Sequence, residues 1–157
     1  MIKYALAMAA LAAATTFANA ETQNGDWHSY KQDAKCWAAS APVRTEGSIA
    51  GRNGPYLAIQ NDTSEGVRGS VAIVSGFDGS AEGEAKVSVD GEPFEVLPFA
   101  NAAFPQSGKP ETAMVAAMRK GREMSVTWTT ASGETATDFY SLDGFTASLS
   151  QANEDCR

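Results

Sequence analysis

Short runs of Val, Thr, Tyr, Phe and Trp fill the chain after residue 20, and Gly, Asp, Asn, Ser and Pro separate them. Runs of this length and composition, bounded by turn residues, are typical of β-strands. The 14 glycines of the chain suit a fold with many turns. The pattern predicts strands at residues 27–32, 36–40, 56–60, 69–75, 86–90, 94–97, 124–130 and 135–140.

Residues 87–96 carry the clearest local signal in the chain. Asp90 and Gly91 stand between two runs in which apolar and polar residues alternate. An Asp-Gly pair in that position favours a tight hairpin turn. Pro93 cannot donate a ladder hydrogen bond, so we expect the second strand of this hairpin at a sheet edge, or a slightly longer turn.

Residues 110–121 show a helical pattern instead. Pro110 stands in the first turn, an acid follows it, two bases occupy the last turn and a glycine comes next. Met114, Val115 and Met118 share one face, which predicts that the helix lies across a sheet or closes the end of a sandwich. A methionine stripe can also be a binding surface, but we expect it to be core.

A second, short helix is predicted over residues 145–152, where Phe145 and Leu149 lie four positions apart. It would carry Cys156 back toward the first strands. The elements together predict a mainly β fold: a single-domain antiparallel β-sandwich or partly closed barrel with one packed helix and a short C-terminal helix.

Residues 1–20 have the pattern of an export signal. Lys3 precedes an apolar stretch at residues 4–14, and the segment closes on the small-x-small pattern Ala18-Asn19-Ala20. The apolar stretch is shorter than the roughly 20 residues that a membrane-spanning helix needs. We therefore predict cleavage, no membrane span, and a mature domain of residues 21–157 that is periplasmic, secreted or held at the cell surface.

The chain has two cysteines, Cys36 and Cys156. In an exported protein an even number usually indicates a bridge. Free thiols, or a reactive cysteine, are the alternative, but the chain has no C-x-x-C motif and only Lys35 stands beside Cys36 to depress its pKa. We predict a structural disulfide.

The formal net charge is −7, and loss of Lys3 with the signal would make it −8. Such a surface repels phosphate backbones and acidic lipid headgroups, which disfavours nucleic acid and anionic membranes as partners. Arg44, Arg52 and Arg68 lie in or beside Gly-rich loops. They could form a small cationic recognition patch, although we favour scattered, solvated side chains.

Residues 99–109 are predicted to be a loop with an apolar cluster that includes Phe99 and Phe104. Either the loop crosses between sheets and buries its aromatic side chains, or it forms an exposed apolar lip for a partner. We favour the first interpretation.

No catalytic or metal-binding constellation is apparent in the sequence. His28 is the single histidine, and its position in a predicted strand indicates a surface or edge imidazole rather than the base of a hydrolase triad. With the cysteines paired, a zinc site would have one protein ligand of the usual kinds. No EF-hand, Walker or Rossmann motif occurs. We expect no enzymatic activity, no metal and no cofactor.

The chain resembles the invasion-associated locus B family of exported bacterial proteins. The resemblance extends over nearly all of residues 21–157, and its most specific part is Ser-Leu-x-Gly-Phe-Thr-Ala at residues 141–147, followed by Cys156. The other matching features are Trp27 nine residues before Cys36, Tyr56-Leu57-Ala58-Ile59, the hairpin of residues 87–91 with Phe94 after it, and Ala116-Ala117-Met118-Arg119-Lys120-Gly121.

The resemblance implies a periplasmic or surface-associated all-β protein of an alphaproteobacterium, in a family named for host-cell invasion. It supplies no catalytic residue. The chain also departs from the family, since many relatives have a tryptophan after the hairpin where this chain has Asn101-Ala102-Ala103-Phe104. Phe104 is a plausible aromatic substitute.

We weigh two main functions and, less favoured, a hydrolase that would use two facing carboxylates in a cleft. The first is a monomeric, non-enzymatic envelope protein that binds another protein or a host or envelope surface component. The alternative is a periplasmic carrier of a small ligand in a pocket between the sheets, lined by Trp37, Tyr56, Trp128 and Phe139.

Overall fold

The computed structural model describes residues 20–77 and 83–157, so most of the predicted export signal, residues 1–19, lies outside the described residues. Strands dominate, and each helix follows a strand-rich stretch. The elements are β1 (Ala20–Asn24), β2 (Trp27–Gln32), β3 (Lys35–Ser40), β4 (Arg44–Gly47), β5 (Tyr56–Asp62), β6 (Val67–Val74), β7 (Gly83–Val89), β8 (Glu92–Phe94), β9 (Leu97–Phe99), β10 (Ala102–Phe104), α1 (Lys109–Lys120), β11 (Glu123–Thr130), β12 (Thr135–Ser141) and α2 (Phe145–Asp155).

The strands form two antiparallel sheets. A seven-stranded sheet has the order β1-β2-β3-β5-β6-β10-β9, and a five-stranded sheet has the order β4-β12-β11-β7-β8. We call them the large sheet and the small sheet. Neither closes into a barrel through the described strands, so of the two predicted architectures the sandwich is confirmed.

The core lies between the inward faces of the two sheets. Alternate residues of β5 and β6, such as Leu57, Ile59 and Ile73, are fully buried in one cluster with Val126 and Trp128 of the small sheet. This period of two follows from the pleat, which turns successive side chains to opposite faces.

Both predicted helices are present. In α1 the side chains of Met114 and Met118 are buried in the core cluster, so the methionine stripe is core. In α2 the side chain of Phe145 packs edge-on against Trp27, with ring centroids 4.8 Å apart. The indole of Trp27 donates a hydrogen bond to the Ser141 carbonyl at 2.8 Å.

The predicted disulfide between Cys36 and Cys156 is present, with a Cα–Cα distance of 5.9 Å. It joins the inward face of β3 to the residue after α2. The bridge therefore fixes the C-terminal helix to the first strands of the large sheet.

The glycine of the Ser-Leu-x-Gly-Phe-Thr-Ala segment has a structural role. Gly144 has φ of +86°, and a Cβ there would lie 1.7 Å from the carbonyl oxygen of Asn24. Asp26 N donates to the Asp143 carbonyl at 3.1 Å beside it. Only glycine permits this approach of two backbones, which brings α2 onto the β1–β2 turn.

The predicted hairpin of residues 87–96 is confirmed. Asp90 and Gly91 both have positive φ, 48° and 86°, as a two-residue hairpin turn requires. Pro93 lies in β8, which is an edge strand of the small sheet.

Short strands account for the main errors of the sequence analysis. The strands β1, β4 and β10 were not predicted, and the predicted strand 94–97 is wrong, because residues 95–96 separate β8 from β9. Part of the predicted 99–109 loop is the strand Ala102–Phe104, paired with β6. A strand of three residues is too short to show an alternating pattern, and its pairing depends on residues distant in sequence.

Candidate functional site

The outer side of the large sheet carries aromatic side chains where a solvent-facing strand would ordinarily be polar. In β2 and β3 the inward residues Trp27 and Ala38 are fully buried. The alternation of the strands therefore turns His28, Tyr30 and Trp37 outward.

These three outward rings stack on one another. The centroids of His28 and Tyr30 lie 6.0 Å apart, and those of Tyr30 and Trp37 lie 5.7 Å apart, with interplanar angles of 19° and 24°. His28 Nδ1 is 2.9 Å from Glu21 Oε1. Burial raises the pKa of Tyr30, and the Glu21 carboxylate raises it further. The contact between His28 and Glu21 therefore holds one end of the stack against β1.

An open groove of about 860 Å³ runs beside this stack. Its floor contains Ala39 and Ala58, which are directly paired across β3 and β5. Trp37 and Tyr56 each precede one of these alanines by two residues, and because the strands are antiparallel the two rings stand on opposite sides of the alanine row. Ala72 continues the row on β6, since it pairs with Ala58.

We call the row of Ala39, Ala58 and Ala72 with its flanking rings the trough. Strand pairing extends it toward β9. Ala103 pairs with Ile73, which places Phe104 beside Ala72, and Phe104 pairs with Leu97. Cross-strand partners share a face of the sheet. The trough therefore ends at Phe104 and Leu97.

The row beside the trough is also apolar. Phe99 pairs with Ala102, Ala102 with Val74, and Val74 with Tyr56. The outer side of the large sheet thus presents two neighbouring apolar rows, one from β3 to β9 and one from β5 to β9. We call this side the aromatic face, and its ring-bearing members are His28, Tyr30, Trp37, Tyr56, Phe99 and Phe104.

Exposure is concentrated on this surface. The large apolar side chains that are most exposed in the described part of the chain are Val43 (54%), Tyr56 (45%), Leu97 (65%) and Phe99 (75%). Val43 and Tyr56 line the groove, and Leu97 and Phe99 share its side of the sheet. The exposed positions of Leu97 and Phe99 correct our expectation that the segment beginning at Phe99 buries its aromatic side chains; Phe104 is half-buried.

A polar cluster occupies the inner side of the sandwich. Arg52 and Asp138 form an ion pair with side chains that are 7% and 0% exposed. Thr45 Oγ1 donates to Asp138 at 2.8 Å, and Arg52 Nε donates to the Ser75 carbonyl. Burial raises the pKa of Tyr140, and Asp138 adds to the shift. Arg52 is therefore buried in an ion pair, which corrects our expectation that the arginine side chains are solvated.

The other two arginines lie elsewhere. The Arg44 guanidinium lies 3.3 Å from the centroid of the Phe139 ring, on the outer side of the small sheet. Arg68 donates to the Cys156 carbonyl. The three arginines make separate contacts and do not form a common patch.

The four residues proposed to line a carrier pocket do not meet. Trp37 and Tyr56 lie on the aromatic face, Trp128 is buried in the core, and Phe139 lies under Arg44 on the opposite outer face. A second cavity, of about 690 Å³, lies where residues 49–51 approach the β11–β12 turn, and Trp128 is the one member of the four that lines it. The Trp128 indole N–H has no hydrogen-bond partner among the described residues.

Metal binding finds no support in the described ranges 20–77 and 83–157, where no group of three or more His, Cys, Asp or Glu side chains converges. In the same ranges neither helix combines the length and the apolarity needed to cross a bilayer.

Of the candidate binding residues named from the sequence, Trp37, Tyr56 and Phe104 lie on the aromatic face; His28, Tyr30, Leu97 and the alanine row, which also lie there, were not named as candidates. Alternation within residues 27–32 does place His28 and Tyr30 on one face. The pairing of β3 with β5 and of β6 with β10, which assembles the trough, is not encoded in any local pattern.

Comparison with known proteins supports the fold. The crystal structure of invasion associated protein B from Bartonella henselae is similar to this structure, with a TM-score of 0.54 and 17% sequence identity. The match covers 85% of this chain and 96% of that chain. At this identity the similarity shows a related fold and no more. No protein-family model matches the chain, and no curated protein matches it.

Proposed function

We propose that this protein is an exported, non-enzymatic binding protein of the cell envelope, and that it contacts a partner protein through the aromatic face. The observation that carries the proposal is the position of the most exposed large apolar side chains of the described residues: Tyr56, Leu97 and Phe99 lie on one side of the large sheet, and Val43 lines the groove there.

Exposed apolar area of this kind has an energetic meaning. Removing a large apolar side chain from water contributes about 1.5–3 kcal/mol, so a folded protein gains nothing by leaving several of them together in solvent. Contiguous apolar patches with aromatic members are typical of protein-binding surfaces. The stacked rings of His28, Tyr30 and Trp37 add a rigid surface that loses little conformational entropy on binding.

An extracytoplasmic location fits the disulfide, because such bridges persist in oxidising compartments. The export signal expected at residues 1–20 and the fold shared with invasion associated protein B support the same location. The partner would then be another envelope component or a host surface protein.

A binding role also agrees with the chemistry of His28. This single histidine of the chain pairs with the Glu21 carboxylate rather than with a hydroxyl nucleophile. We expect the purified protein to give no turnover on ester, peptide or glycoside substrates. Robust hydrolysis that one point substitution abolishes would contradict this part of the proposal.

Site-specific photo-crosslinking in the source cell tests the binding role. A photoreactive phenylalanine analogue at Tyr56 or Phe99 should give a discrete adduct with a protein. The same analogue at Lys86, whose side chain is 78% exposed on the outer face of the small sheet, should give none. Equal adducts at Lys86 and Tyr56, or no adduct at Tyr56 and Phe99, would contradict the proposal.

A further inference from the structure

We infer that the trough binds an extended, proline-rich segment of the partner protein, with a basic residue at the end that lies near Asp26. This inference rests on the proposed function of the aromatic face and specifies the chemistry of its partner.

The dimensions of the trough fit such a segment. The groove between Trp37 and Tyr56 crosses β2, β3 and β5. The row of cross-strand partners that begins at His28 continues beyond it to Leu97 on β9. At about 4.8 Å between neighbouring strands, this row of six strands is about 24 Å long. A polyproline II helix rises about 3.1 Å per residue, so about eight residues occupy the whole length.

The cross-section also fits. Trp37 lies two residues from the alanine row on one side, and Tyr56 lies two residues from it on the other. At about 3.3 Å per residue, the two walls are about 13 Å apart along the strand direction. The methyl groups of Ala39 and Ala58 leave the floor open. A rod-like ligand can therefore lie on the alanines with rings against both of its sides.

The hydrogen-bonding groups of the trough select a peptide of this composition. The lining offers the donors of Trp37 and Gln60 and the hydroxyl of Tyr56. A proline-rich segment presents carbonyl acceptors and apolar rings but lacks backbone N–H groups. Its conformation is already extended before binding, so little entropy is lost.

A sugar chain fits this lining less well. Each sugar residue carries several hydroxyl groups, and a hydroxyl that is buried without a partner costs about 1–3 kcal/mol. The floor of the trough is formed by the methyl groups of Ala39 and Ala58, which offer no hydrogen-bond partner to hydroxyl groups that face it.

The charges near the trough favour a basic residue in the ligand. Asp26 is exposed and lines the groove. Lys35, the lysine that lines the groove, is already paired with Asp62 at 3.6 Å. The chain as a whole carries a net charge of −7. An arginine or lysine at the Asp26 end therefore meets a complementary field.

Isothermal titration calorimetry with the disulfide-intact protein tests the inference. The probe is a synthetic peptide of about eight prolines with an arginine at one end. We expect saturable binding, about tenfold or more weaker for Trp37→Ala and Tyr56→Ala, and unchanged for Lys86→Ala. Replacing the arginine of the peptide with glutamate should weaken binding several-fold in the native protein, and less in Asp26→Asn.

Two control ligands and one comparison with the crosslinking result define failure. A Gly-Ser peptide of the same length and charge should not bind. Saturable binding of a chito-oligosaccharide in the trough, with no binding of the proline peptide, would replace the peptide with a glycan. Absence of peptide binding together with a protein adduct at Tyr56 would overturn this inference and leave the proposed function intact, whereas absence of both would overturn both.

Discussion

The outer faces of the two sheets differ in a way that backbone geometry does not require. On the small sheet the outward positions hold hydroxyl pairs, such as Ser88 with Ser125 and Thr127 with Thr137, each 2.8 Å apart. On the large sheet the corresponding positions hold stacked rings, alanines and exposed Leu97 and Phe99.

The small sheet shows what an ordinary solvated face looks like in this protein. Phe139 of β12, the outward aromatic side chain among the described strands of this sheet, is covered by the Arg44 guanidinium. The large sheet leaves comparable side chains uncovered. We attribute the difference to the proposed use of the aromatic face in binding, and it can be tested by perturbing one face at a time.

The largest expected effect comes from removing the disulfide that fixes α2 to the inner side of the large sheet. The double substitution Cys36→Ala and Cys156→Ala opens a loop of sequence separation 120, for which chain entropy gives an upper value of about 5 kcal/mol. We expect the urea unfolding midpoint to fall sharply. Reductant should lower the midpoint of the native protein and leave that of the double variant unchanged. If reductant has no effect on the native protein, the bridge does not stabilise the fold.

Next in size is the buried ion pair on the inner side of the small sheet. Asp138→Ala leaves the Arg52 guanidinium buried without its partner, at an expected cost of about 4 kcal/mol in the free energy of unfolding. The double variant Asp138→Ala with Arg52→Met should recover part of this loss, because it removes the unpaired charge. Equal stability of the single variant and the native protein would show that the pair is not buried as described.

Two tryptophans on opposite faces of the large sheet give a matched comparison. Trp27→Ala opens a cavity in the core and should cost about 3 kcal/mol or more. Trp37→Ala removes a half-exposed ring and should cost about 1 kcal/mol or less, while it abolishes the Tyr56 crosslink. Chemical denaturation of both variants checks the difference. Similar losses of stability would mean that the aromatic face is part of the core.

The smallest effect concerns acid stability at the end of β5. A hydrogen bond from the Ser64 hydroxyl lowers the pKa of Asp62, and the Ser64 and Glu65 backbone N–H groups act in the same direction. Because the folded-state pKa is depressed, the contribution of Asp62 is present above its ordinary value of 3.8 and is lost as pH falls below it. Thermal melts from pH 6 to about pH 2 should show a weaker acid dependence in Asp62→Asn than in the native protein. An unchanged profile would contradict the assignment.

Local patterns predicted the long elements of this fold well. Alternation identified β2, β11 and β12, and the spacing of Met114 and Met118 identified the buried side of α1. The four predicted carrier residues failed as a group because composition cannot tell which side of a strand meets the core. Trp37 and Trp128 are both tryptophans in predicted strands, yet Trp37 lies on the surface and Trp128 in the interior.

The sequence by itself determined the β-rich class, the two helices, the Asp-Gly hairpin and the pairing of two cysteines, because each depends on neighbours in the chain or on a simple count. Only the tertiary structure decided that Ala39, Ala58 and Ala72 form one row and that Leu97 and Phe99 share its face. Cross-strand register joins residues that are distant in sequence, and the free energy that fixes it comes from packing of the whole sheet.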